Sequence, residues 1–388
     1  MNSSSIETKE SISLNGAILK LRAYIEDNEY KGYDPYDGLS SPLFKLPILK
    51  STRLLRFFFQ QFIKRFPFNL RPLLSIEKGL NPVTLGLSVQ AYSYLYEKDK
   101  NNQKYYLDKI EFLIGKLESL IPKGYAGACW GYDFDWEARY INVPAFQPTI
   151  VATGIISNAL YVTHLITKNQ KAYDLLISCG HFLKNDINRT YEDKKICFSY
   201  SPFDNEKVFN ASMKGARLLS QVYDLTKDQE SLYLAKNATD FVINYQNSDG
   251  SWKYGLAKKG EWIDSYHTGY ILDCLKEYQD LTNDDSYEKN LNEGYRFFKK
   301  SFITSSGTPK FYNNHIYPID CTSAAQLITT LGRFGDKELA SKVAKWMILN
   351  MQKKNGGFKF RSYKYYNINT SYMRWSNAWM FKALAYLR

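Results

Sequence analysis

The sequence predicts an all-α protein: an (α/α)6 toroid of helical hairpins with short β-hairpin loops at one mouth. Two repeats running in step along the 388 residues carry that expectation. In the first, six segments share a polar or proline-containing start, a small residue and an apolar helical stripe. They begin near Asn81, Gln147, Asn210, Asp264, Asp320 and Arg374. Gly86, Gly154, Gly215, Gly269, Ala324 or Ala325, and Ala378 occupy equivalent places in them. Glycine inside a helix costs about 1 kcal/mol relative to alanine, so its recurrence at one repeat position points to close helix approach. In the second repeat, short aromatic alternations precede the apolar segments: CWGYDF (129–134), CFSYSPF (197–203), GSWKYG (250–255), PKFY (309–312) and GGFKFR (356–361). Alternation of this kind reads as short strands.

Taken in chain order, residues 11–28 and 43–66 are the two candidates for a sixth outer helix, with 1–78 as an N-terminal helical extension completing the ring. The inner helices begin at the six starts above. Between them lie more polar, amphipathic stretches near 102–120, 169–186, 229–246, 285–302 and 337–353, which read as outer helices. Buried and half-exposed helices alternating at a period of about 50–65 residues signal a helical-hairpin repeat, so residues 1–388 are expected to form one domain. The aromatic connections then meet at the N-terminal ends of the inner helices, around one mouth.

Composition narrows the partners. The net charge is +12, but the basic residues are dispersed and no zinc finger, RNA-recognition motif or basic arm occurs, so no nucleic-acid partner is expected. The charge suits an acidic glycan, a sugar nucleotide or an anionic membrane, and equally an ordinary basic protein. Five scattered cysteines and four scattered histidines form no metal-ligand spacing. The polar start MNSSSIETKES lacks an apolar core of a signal, and no stretch of about 18 apolar residues is found, so a cytoplasmic location is expected. GxGxxG after a strand, P-loop, GxSxG and HExxH motifs are missing, and neither cofactor nor metal is expected.

YQNSDGSWKYG (245–255) and MQKKNGGFKFR (351–361) resemble the Q-x-x-x-G-x-W/F repeats of terpene-cyclase and protein-prenyltransferase toroids. The overall plan is similar to that of six-hairpin glycosidases, glycan epimerases and polysaccharide lyases. GYDPYDGLSSPLF (32–44) resembles an opening found in proteins of bacterial surface-polysaccharide gene clusters. The resemblance implies acid–base chemistry on a glycan. NDDSY (283–287) lies in a polar loop and does not supply the DDxxD pattern of diphosphate binding, which weakens an isoprenoid-binding alternative.

WGYDFDWEARYINVPAFQP (130–148) is the densest candidate site. It sets Asp133, Asp135, Glu137 and Arg139 among Trp130, Tyr132, Phe134 and Trp136, and runs through Gln147 into an inner helix. In an extended conformation, alternation places the three carboxylates on one side and the aromatics on the other, as glycan acid–base chemistry requires. A solvated hairpin with internally paired charges is the structural alternative. Asp264 and His267, spaced i,i+3 at a helix start beside Tyr266, read as a proton-transfer pair or as an N-cap beside a core histidine.

Asn210 and Asp320 occupy cap positions, where capping accounts for them, and they remain candidate sugar ligands. Arg374 is different, because a cation at a helix start opposes the dipole; with Trp375 beside it, Arg374 reads as an anion-binding group. Trp130, Trp136, Trp252 and Trp375 are the candidate stacking surfaces. Asp204 and Glu206 are further acids, and Asp34 and Asp37 sit in a turn that bonds its own backbone or acts as a lid. The basic, Phe-rich stretch 44–68 reads as an outer helix, a dimer contact or a peripheral membrane contact. The expected protein acts on a glycan, acidic or lipid-linked, as an epimerase, lyase or glycoside hydrolase; a non-catalytic glycan-binding protein is the alternative.

Overall fold

The computed structural model describes residues 13–137 and 142–388. Three helices open the chain: α1 (Leu14–Asp27), the short α2 (Pro47–Ser51) and α3 (Arg53–Arg65). Helices then alternate between two layers. They are α4 (Pro82–Lys98), α5 (Gln103–Ser119), α6 (Ile150–Thr167), α7 (Gln170–Asn185), α8 (Phe209–Thr226), α9 (Gln229–Ile243), α10 (Ser265–Thr282), α11 (Glu288–Phe302), α12 (Cys321–Arg333) and α13 (Lys337–Met351). The last inner helix opens as a π-helical turn, Met373–Ala378, and continues as α14 (Trp379–Leu387).

Local chemistry sets the helix ends. The Asn81 side chain accepts from the Val83 N–H ahead of Pro82, Thr149 caps Ala152, and Asp264 caps His267. At the other end, Lys168, Lys227 and Asn283 take left-handed conformations that stop α6, α8 and α10. The inner helices are buried nearly all round, whereas α11 buries only Leu291, Gly294, Phe298 and Phe302, one stripe at helical spacing.

The inner helices close a ring. α4 packs on α6, α6 on α8, α8 on α10, α10 on α12, α12 on α14, and α14 back on α4. The recurrent glycines make this possible. A Cβ on Gly86 would lie 2.9 Å from Ile156 of α6, one on Gly154 2.9 Å from Lys214 of α8, and one on Gly269 2.9 Å from Gln326 of α12. The chain is an (α/α)6 toroid.

Two expectations are settled here. The helix packed outside α14 is α1, so 14–27 and not 43–66 completes the outer layer. α3 instead packs on the turn Asp37–Ser40 and on the short strand Trp136–Glu137, across the mouth. Among the described residues one helix, α6, is long and apolar enough to cross a membrane by length and composition, where no such stretch was expected from the sequence; 72% of it is buried inside the ring.

Below the mouth the ring axis is filled by buried polar groups. Arg333 pairs with Glu277 at 2.9 Å, Gln221 donates to Glu277 at 2.7 Å, and Gln326 donates to Asp273 at 2.8 Å. The lumen is therefore plugged by charge, and the open space is above it.

Candidate active site at the mouth of the ring

A cavity of about 340 Å³ lies where the inner helices begin. Val151 and Ile155 of α6, Asn210 of α8, Tyr266, His267 and Tyr270 of α10, and Arg374, Trp375 and Trp379 of the last inner helix form its floor and sides. The aromatic connections add Tyr132, Phe134, Trp136, Tyr200, Tyr254, Trp262 and Phe311. The N-terminal segment covers it with Tyr36, Phe57, Gln60, Gln61 and Lys64.

The clearest chemical unit is the Asp264–His267 pair. The cap geometry brings the Asp264 Oδ1 to the His267 N–H at 2.9 Å, which leaves Oδ2 2.6 Å from the ring Nδ1. Trp262 Nε1 donates to the same Oδ2 at 2.8 Å. A carboxylate there selects the tautomer with the proton on Nδ1, so Nε2 is the nitrogen able to exchange a proton. The capping and proton-transfer readings of this motif therefore coexist. Tyr254 stacks on Trp262 with centroids 4.3 Å apart, and the Tyr266 ring lies 3.9 Å from the imidazole. These rings form an aromatic wall around the histidine.

The acidic stretch 130–148 behaves differently from its sequence expectation. Among its described residues, strand is confined to the two-residue pair Trp136–Glu137 and Asn142–Val143, so Asp133 and Asp135 lie outside it and the three carboxylates do not share a face. Asp133 is turned away from the cavity, accepting from Asn81 Nδ2 at 2.6 Å and packing so tightly that a Cβ on Gly79 would meet its Oδ2 at 1.9 Å. Asp135 is exposed and accepts from the Ala145 N–H at 2.7 Å, a turn contact. Glu137 does border the cavity, but Arg53 (2.9 Å) and Arg56 (2.8 Å) clamp its carboxylate. Arg139 lies outside the described residues, and Gln147 does not border the cavity.

Trp130 and Trp252 are corrections as stacking surfaces. Both are fully buried, their indole N–H groups bonded to the carbonyls of Leu117 and Val242, so they staple outer helices to loops. Trp136 and Trp375 do border the cavity. Asn210 is no cap: Val208 holds that position, and the buried Asn210 Oδ1 has no partner among the described residues. Trp136 Nε1 is likewise unpaired. An unpaired acceptor and an unpaired donor bordering the same cavity suit the hydroxyls of a sugar. Asp320 is fully engaged as the cap of α12, with Arg361 at 2.6 Å and Trp375 Nε1 at 3.2 Å, and does not border the cavity.

Arg374 was expected to hold an anion, and it does, but the anion belongs to the protein. Its guanidinium forks onto Asp34 at 2.6 and 2.8 Å, both groups buried. Arg71 in turn bonds Asp37 (2.6 Å), the Asp34 carbonyl (2.6 Å) and the Tyr372 hydroxyl (2.9 Å). The turn 34–37 also bonds its own backbone, with Asp37 accepting from the Asp34 N–H at 2.8 Å. It is a fixed strap over the ring.

Sequence reasoning missed Gln60 and Trp262, and reached Tyr36 only as part of a candidate lid and Lys64 only as one of the cations of the basic stretch 44–68. Lys64 is buried, donates to the Tyr36 hydroxyl, and lies 3.9 Å above the Tyr36 ring. It has no carboxylate partner among the described residues. Burial and the nearby Arg361 push its ammonium well below the usual lysine range. Asp204 spends its oxygens on the turn 200–206, accepting from the Tyr200 and Glu206 N–H groups at 3.0 and 2.9 Å. Glu206 borders the cavity with its carboxyl raised by burial and by Asp204, and no side-chain partner among the described residues.

Asp133 yields a stability prediction. Burial pushes its carboxyl up to about 6 against the opposing Asn81 hydrogen bond, well above the 3.8 of a free aspartate side chain. A raised acid contributes its full stabilisation below its unfolded value, and that contribution is lost as pH rises from there through 6. Asp133→Asn is therefore expected to be more stable than wild type at about pH 8, by on the order of 1 kcal/mol, with the advantage vanishing near pH 4. Thermal unfolding at the two pH values measures it.

The comparisons with known proteins follow this geometry. No family model matches the chain, and no curated protein matches its sequence. Solved structures do match. A cellobiose 2-epimerase from Bacillus thermoamylovorans shares 13% identity over 96% of this chain and 99% of its own, with a TM-score of 0.61. An α-mannanase of glycoside hydrolase family 76 from Bacteroides thetaiotaomicron shares 13% over 79% and 85%, at 0.58. A possible member of the GH105 family from Salmonella enterica shares 10% over 100% and 96%, at 0.61. At these identities the likeness is one of fold, and the fold is the α/α toroid expected from the repeats.

Proposed function

We propose that this protein is a carbohydrate-active enzyme that performs acid–base chemistry on an anionic glycan, of epimerase, lyase or glycoside hydrolase type, in making or modifying a bacterial surface polysaccharide. The observation that carries the reading is the Asp264–His267 pair, set in an aromatic cavity of about 340 Å³. His267 takes or gives the proton through Nε2, and Asp264 positions it. Glu206, a cavity carboxyl raised by burial, is the second titratable group. Trp136, Trp262, Tyr266 and Trp375 supply faces for sugar rings, and Asn210 Oδ1 accepts from a hydroxyl.

The similar structures named for cellobiose epimerisation and mannan cleavage support a glycan substrate. The polar, plugged axis counts against the isoprenoid alternative, which needs an apolar channel.

Lys64 takes the anion-binding role first expected of Arg374. A carboxylate or phosphate entering beside it meets a buried amine with no acid partner among the described residues, and its charge would restore the ammonium. Lys64→Met is expected to weaken binding of a glucuronate-containing oligosaccharide by roughly tenfold or more and to leave its neutral glucose counterpart little changed. Calorimetric titration of both ligands decides it; equal losses would remove the anion subsite.

The reading as a whole is tested by deleting the gene and determining the surface polysaccharide by NMR after restoring wild type, His267→Ala or Trp136→Ala. An altered sugar or linkage corrected by wild type alone is expected. Correction by His267→Ala would make the protein a binding or assembly factor, and an unchanged polysaccharide would end the glycan reading.

A further inference from the structure

Beyond the 34–37 turn, the N-terminal segment that covers the cavity continues as a second strap, residues 43–73, which carries an outward surface. Among the described residues, sixteen large aliphatic or phenylalanine side chains are exposed, and eight of them fall between Leu43 and Leu73. On α3, Leu54, Leu55, Phe58 and Phe62 fall within about 100° of one helix face, since 3.6 residues make a turn. Phe58 is 59% and Phe62 54% exposed. The apolar surface continues beyond the helix, with the Phe62 and Phe66 rings 5.2 Å apart, Phe66 and Phe68 6.2 Å apart, and Leu73 82% exposed. Exposed apolar side chains gathered in this way, rather than scattered singly, mark an interaction surface.

Charge identifies what covers it. From Gly38 to Ile76 the chain holds seven lysines and arginines and no aspartate or glutamate. Arg71 is buried against Asp37 and Lys64 is buried at the cavity, whereas Arg53 and Arg65 are exposed beside the apolar row, with Glu137 shared between Arg53 and Arg56. A second copy docking through this face about a two-fold axis would set cations against cations. An exposed apolar row flanked by the exposed Arg53 and Arg65, in a stretch without acids, matches an anionic lipid surface, where rings enter the acyl boundary and cations meet headgroups.

We infer that the 43–73 strap docks on an anionic membrane surface through Phe58, Phe62, Phe68 and Leu73. α3 turns its other side to the cavity, through Gln60, Gln61 and Lys64. Docking therefore brings the mouth of the site to the height of the headgroups. A glycan carried on a lipid would meet the cavity there; that consequence rests on the glycan reading, whereas the docking does not.

Co-sedimentation of the full chain with vesicles tests it, using phosphatidylcholine mixed with phosphatidylglycerol against phosphatidylcholine alone. Binding is expected to the mixed vesicles, to weaken with added salt, and to fall roughly tenfold or more in the double variant Phe58→Glu, Phe62→Glu. Phe112→Glu, at an exposed phenylalanine on the outer helix α5, is expected to bind like wild type. His267→Ala should also bind like wild type, which separates docking from the chemistry of the cavity. No binding to mixed vesicles, or equal binding by the double variant, would overturn the inference. So would a wild-type dimer in light scattering that the double variant converts to monomer without vesicle binding ever being seen, since the patch would then belong to a second copy.

Discussion

Replacing His267 by alanine is expected to lower kcat by roughly 10²–10⁴-fold with a much smaller change in KM. The imidazole is the group in the cavity whose tautomer is set by a carboxylate, with Oδ2 of Asp264 2.6 Å from Nδ1. Asp264→Asn is expected to cost a comparable factor for a different reason. An asparagine can still accept from the His267 N–H and cap α10, so the helix survives. What it loses is the negative charge that holds the proton on Nδ1 and stabilises the imidazolium formed when Nε2 takes a proton. Turnover of the glycan identified from the polysaccharide composition measures both effects, with circular dichroism to verify folding. Full rates in both variants would leave the cavity without its proposed proton carrier.

Asp34→Asn is expected to destabilise the protein by about 3–5 kcal/mol. Arg374 is 4% exposed, and both of its bonds to carboxylate go to Asp34. Removing that charge leaves a buried cation uncompensated, which is the costly way to break such a pair. Removing both partners is far less costly, so the double variant Asp34→Leu, Arg374→Met should recover much of the loss. Denaturant unfolding of the single and double variants measures it; a single variant within about 1 kcal/mol of wild type would show that water reaches Arg374. The strap is tied down by this pair, so the single variant should also bind glycan more weakly through Tyr36 and Lys64.

The legible and illegible parts of the molecule divide along physical lines. Gly86, Gly154 and Gly269 were readable as packing positions because a missing Cβ leaves a trace in a local, repeated pattern. Asp264 and His267 were readable as a unit because i,i+3 spacing at a helix start is enough to bring them together. The acidic stretch misled because the alternation argument needs an extended chain, and only its last two residues before 138 are strand. Trp130 and Trp252 misled because an indole serves equally as a stacking face and as a core staple, and burial alone tells the two apart.

The sequence by itself determined the toroid, its six inner helices, the gathering of loops at their N-terminal ends and the Asp264–His267 pair. All of these follow from short-range periodicity and capping, which repeat with the chain. Only the tertiary structure decided which segment closes the outer ring, which covers the mouth and which cation stands open to a ligand. Arg374 finds Asp34 340 residues away, and that long-range pairing leaves Lys64, on a helix the repeat does not include, as the buried amine of the cavity with no carboxylate partner among the described residues.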